Sequence, residues 1–64
     1  MDADELKAKI KKLNAQATQA KMDLHDLSEE LPTNWEKIMD VAQRCHDAHA
    51  ALTEARKAAA AASA

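Results

Sequence analysis

The 64-residue chain has no glycine, one proline (Pro32), one cysteine (Cys45), no phenylalanine or tyrosine, and a single tryptophan (Trp35). Each shortage excludes something. All-β and α/β domains need frequent turn residues, and one proline without any glycine cannot punctuate them. A lone cysteine allows no internal disulfide and suits a reducing compartment, so a cytoplasmic location is expected. No window approaches the roughly 18 apolar residues of a membrane span. The opening run MDADELKAKIKK is charged throughout and lacks the apolar core of a signal peptide. A net charge of −2 gives no general attraction to a phosphate backbone, which argues against nucleic acid as partner. So thin a chain has no room for a concave active-site pocket. A non-catalytic protein without a cofactor is therefore expected.

The apolar content is largely alanine. Hydrophobic residues make up 47% of the chain, but 16 of those 30 are alanine, leaving 14 larger ones. Chains of this size bury a small share of their surface, and so few large side chains make a poor core for one copy alone. The composition asks for a partner, most simply a second copy.

The apolar residues fall in two clean stripes. In the first half they stand at Leu6, Ile10, Leu13, Ala17, Ala20, Leu24, Leu27 and Leu31, with steps of 4, 3, 4, 3, 4, 3 and 4. That 3.5-residue period keeps one helix face turned toward a partner helix. Asp2 and Glu5 have the spacing of a capping box at its start. Pro32 ends the helix, because the residue before proline is driven out of the α region. Thr33-Asn34-Trp35-Glu36 then matches T-x-x-E, a second capping box with Glu36 as its acidic half. The second stripe is Ile38, Val41, Cys45, Ala48, Leu52, Ala55 and Ala59. We therefore expect helix 1 over about 3–31, a turn at about 32–33, helix 2 over about 34–60, and a frayed alanine-rich tail at 61–64. So short a link makes the helices antiparallel neighbours. The fold class is all-α: a helical hairpin whose seam, Leu6 to Leu52, pairs with a second hairpin in a four-helix bundle.

Charge is sorted along this hairpin. Residues 22–40 carry Asp23, Asp26, Glu29, Glu30, Glu36 and Asp40 against Lys37, a net of −5. The flanking segments 1–21 and 41–64 carry nets of +2 and +1. The turn end is acidic and the free ends are basic, which favours two hairpins laid with their turns at opposite ends. Exposed pairs contribute about 0–1 kcal/mol each, so charge orients the assembly without creating it.

The run KMDLHDLSEELPTNWEKIMDVAQ, residues 21–43, resembles the small Rop-like proteins that accompany nitrogen-fixation genes in diazotrophic bacteria. The matching elements are K-M-D-L-H-D-L before the break, E-x-L-P at it, W-x-x-I after it and V-A-Q beyond. The resemblance covers residues 4–57 and is looser from Cys45 onward. It implies hairpins that assemble into four-helix bundles, and an accessory role: binding a nitrogenase component or a protein that matures the nitrogenase cofactor. It brings no catalytic residue with it.

Three groups of residues could carry chemistry. Cys45 and His49 are i, i+4 neighbours, and His46 and His49 are i, i+3 neighbours. Zinc, nickel or cobalt accepts such ligands, but a closed site needs four. Cys45 also occupies a seam position that wants a small apolar residue, so a core cysteine beside two flanking histidines is the favoured reading. His25 reads as a surface histidine paired with Glu29. Trp35 reads either as a plug closing the bundle end against Leu27, Leu31 and Ile38, or as a partner anchor, with Asp26, Glu29 and Glu30 around it. Lys7, Lys9, Lys11 and Lys12 form a basic run that could suit RNA in a Rop-like manner. That run has neither arginine nor an aromatic stacking platform.

Overall fold

The computed structural model describes residues 3–63. Two long helices dominate: α1 spans Ala3–Glu30 and α2 spans Ile38–Ser63. Between them lie a four-residue turn, 31–34, and a single 3-10 turn, Trp35–Lys37. The helices run antiparallel as a rod measuring 47 × 14 × 14 Å. No described helix is long and apolar enough to cross a membrane.

The sequence favours helix over both segments. Neither contains glycine or proline, and alanine, the best helix former, fills much of α2. Asp4 and Glu5 sit in the first turn of α1, where carboxylates meet the positive pole of the helix. Side-chain pairs one turn apart line the outer faces: the Gln19 amide donates to Asp23 at 2.9 Å, and Lys57 lies 3.7 Å from Glu54. His25 Nε2 is 3.3 Å from Glu29 Oε1, the pairing expected of a surface histidine. The Asp2 half of the first capping box lies outside the described residues.

Burial follows the seam. In α1 the residues withdrawn from solvent are Leu6, Ile10, Leu13, Ala17, Ala20, Leu24 and Leu27, all of them seam positions. In α2 they are Val41, Cys45, Ala48, Leu52, Ala55 and Ala59, with Ala42 as the one addition. Ala17, Leu27, Leu52 and Ala55 are fully buried. Two of these four are alanine, and their small side chains let the helix axes approach closely near the middle of the rod. The other seam residues remain half open, and Leu31 and Ile38 at the turn are exposed.

The boundaries differ from expectation in three places. Helix α1 stops at Glu30, one residue early, because Leu31 already belongs to the turn; the Leu31–Pro32 peptide is cis. The T-x-x-E capping box does not form. Asn34 takes the N-cap position in a left-handed conformation (φ 63°, ψ 25°) and makes no capping bond with its side chain. Asparagine is one of the few residues that enters this region readily. Once it does, the chain closes a 3-10 turn, and regular α-helix begins only at Ile38. At the far end α2 continues to Ser63 instead of ending near 60, as a run of alanines allows. Ala64 lies outside the described residues.

Candidate functional site

The turn is held tightly by its own backbone. The Thr33 N–H donates to the Glu30 carbonyl at 3.0 Å, the Trp35 N–H to Pro32 at 3.4 Å, and the Lys37 N–H to Asn34 at 3.0 Å. The Asn34 side-chain amide donates to Glu30 Oε2 at 3.1 Å, tying the turn to the end of α1. This scaffold presents four large apolar side chains to solvent: Leu31, Trp35, Ile38 and Met39. Trp35 is 65% exposed and Met39 80%. Within the single hairpin Trp35 is therefore not packed as a plug against Leu27, Leu31 and Ile38. It stands on the 3-10 turn, ahead of the first α-helical seam position, and is carried outward. Met39 had no place in the sequence reading of this surface. Its position was nonetheless legible, since a residue directly after seam residue Ile38 must point away from the seam.

Acids surround this patch. Asp26, Glu29 and Glu30 come from the end of α1, and Glu36 and Asp40 from the start of the second helical segment. His25 Nδ1 lies 3.7 Å from Asp26, and Arg44 lies 3.8 Å from Asp40. Both pairs are solvent-exposed, where such contacts are weak and screened. Glu36 and Asp40 suit a helix start. Glu29 and Glu30 do not suit a helix end: the last turn of α1 carries no basic residue, and its carboxylates face the negative pole of the helix.

Cys45, His46 and His49 do come together, in a shallow groove of about 400 Å³ that Leu24, Ala42 and Thr53 also line. They do not form a metal centre within the chain: among the described residues no three His, Cys, Asp or Glu side chains are grouped to hold an ion. His46 Nδ1 is instead 3.3 Å from Asp47 Oδ1, and Cys45 is half-buried on the seam. Asp47 has a displaced acidity. The Gln43 amide at 2.8 Å, and then His46, lower its pKa below the ordinary carboxylate value, with slight desolvation opposing them. A second groove, of about 520 Å³, runs along the free-ends half of the hairpin between Leu6, Leu13, Ala51, Ala55 and Ala58.

Comparison with known proteins agrees with this architecture. A family model described as Rop-like matches residues 1–64. A UPF0437 protein of Azorhizobium caulinodans is 55% identical over 56 residues, covering 88% of this chain and 81% of that one. A relative in Frankia alni, named as a UPF0437 protein in the nifX-nifW intergenic region, is 46% identical over 52 residues, covering 81% of this chain and 63% of that one. Another in Nostoc sp. is 46% identical over 54 residues, 84% of this chain and 76% of its own length. Among solved structures, the NMR structure of a structural-genomics target superposes with a TM-score of 0.91 at 57% identity, covering 98% of this chain and 89% of that chain.

Proposed function

The chain belongs to the Rop-like family, and from that premise we propose that it is a non-catalytic accessory factor of nitrogen fixation. In this reading it is a cytoplasmic hairpin that pairs with a second copy and binds a nitrogenase component or a cofactor-maturation protein. The link to nitrogen fixation rests on the resemblance of residues 21–43 and on the relative named for a nifX-nifW intergenic region.

The observation that carries the binding role is the open seam. The single hairpin exposes 4994 Å². A folded monomer of 7.0 kDa should expose only about 4,000 Å². The excess matches one partner's share of a standard interface, about 800 Å². Half-open Leu6, Ile10, Leu13, Leu24 and Val41 supply the apolar part of it. A second copy would bury these side chains as coiled-coil layers.

Sedimentation of the purified chain across a range of concentrations tests self-association. Affinity capture with the tagged chain from nitrogen-fixing cells tests recruitment. A chain that stays monomeric and compact when dilute overturns the paired hairpin. Capture that recovers no nitrogenase component and no maturation protein overturns the accessory role.

A further inference from the structure

We propose that the turn end is a docking knob for a partner protein whose surface offers an apolar pocket ringed by lysine and arginine, with Trp35 and Met39 as the inserted side chains. The inference rests on the partner-binding reading above and specifies where and how that binding occurs. Three observations converge on it. First, the protein's sole aromatic residue is not buried in the core of the hairpin; Trp35 and Met39, four residues apart in the chain, are 65% and 80% exposed. Tryptophan is enriched among the residues that dominate binding energy, and methionine adapts to irregular pockets. Second, the surrounding residues 22–40 carry a net charge of −5, which complements a basic rim and steers one toward the knob. Glu29 and Glu30 stand where the α1 terminus disfavours them, a local cost that a cationic partner would offset. Third, the turn is preorganised by its three backbone hydrogen bonds and by the Asn34–Glu30 contact, so little entropy is lost on docking.

A second copy is the competing occupant, since its basic free ends also complement the acids. Met39 decides against it. A hairpin packing along the seam covers Leu31 and Ile38, but Met39, directly after Ile38, faces away from that stripe.

Trp35 is its own reporter, because no other tryptophan contributes fluorescence. The probe is a synthetic amphipathic helical peptide of leucine and arginine, with a glutamate-for-arginine peptide as control. The arginine peptide should shift Trp35 emission to the blue saturably and bind about tenfold more tightly than the control, with the difference shrinking at high salt. Glu29→Lys and Met39→Ser should each weaken binding about tenfold without loss of helicity. Equal binding of both peptides overturns the proposal, as does the absence of saturable binding. So does emission that is already shielded in the protein alone and becomes exposed on dilution, because a second copy then occupies the site. Capture from nitrogen-fixing cells separates this proposal from the accessory role. If Trp35→Ala/Met39→Ser retains the wild-type partners, the knob fails and the accessory role stands; if the wild type captures none, the accessory role itself fails.

Discussion

The Arg56 guanidinium on α2 donates to the side-chain oxygen of Asn14 on α1 at 3.3 Å, joining residues 42 apart in sequence. This contact marks the register of the hairpin. The same alignment sets Leu24 beside Cys45 and Leu13 beside Ala55 in the two grooves. Both partners are exposed, so water competes for the bond and its net worth should be at most about 1 kcal/mol. Arg56→Ala should therefore lower stability in urea melts by no more than that, with helicity intact. A loss of several kcal/mol would mean that the register depends on this pair more than on the seam.

The seam itself should dominate stability. Leu27 and Leu52 are buried within the single hairpin, and truncating either to alanine should cost about 2–5 kcal/mol in denaturant melts. Leu13 and Leu24 are only half-buried in one copy. Leu13→Asp or Leu24→Asp should abolish assembly, since pairing would bury an unpaired charge. Sedimentation and circular dichroism check this together. Unchanged mass and helicity in Leu24→Asp would mean that no second hairpin covers that position.

Much of this architecture was legible because a chain without glycine offers few alternatives to helix, and the 3.5-residue stripe then names the buried face. Every residue of α1 withdrawn from solvent was on that stripe. Pro32 placed the break within a residue. The link could not be read so well, because two local rules competed there. The letters T-x-x-E fit a capping box, but Asn34 can adopt a left-handed conformation and did so. Its side chain went to Glu30, and Trp35 was carried on the 3-10 turn. Helical spacing predicts the direction of Met39 from Ile38; it says nothing of a side chain carried on a turn whose handedness is set by one asparagine. The acids Asp26, Glu29 and Glu30 were legible as a charged end. That they surround exposed apolar side chains depended on the turn.

The left-handed Asn34 makes a direct prediction. Glycine enters that region without steric penalty, so Asn34→Gly should melt within about 0.5 kcal/mol of the wild type. Asn34→Ala places a Cβ against the backbone and should cost about 1–2 kcal/mol. Asn34→Val, β-branched, should cost more than alanine. Thermal melts of the three variants should rank glycine, alanine, valine in falling stability. An alanine variant as stable as the glycine variant would show that the turn has another conformation of similar energy.

Asp47 gives the pH dependence a sign. Its carboxylate accepts from the Gln43 amide and lies beside His46, and both hold its pKa below the ordinary value, the Gln43 hydrogen bond being the largest single cause. A group whose folded pKa is depressed adds stability above its unfolded pKa, and that contribution disappears as pH falls through the folded pKa. The affected window therefore lies on the acidic side of the usual carboxylate range. Both side chains belong to α2 and are exposed, so the effect should appear as a small loss of helix stability there. An NMR titration of the Asp47 side chain should show its midpoint rising in both Gln43→Ala and His46→Ala. The acid-side slope of stability should flatten in Gln43→Ala, because less proton uptake then separates the folded and unfolded chains. If Gln43→Ala leaves the Asp47 midpoint unmoved, the neighbouring imidazole alone governs this carboxylate, and the i, i+4 amide contact is a geometric coincidence on a helix surface.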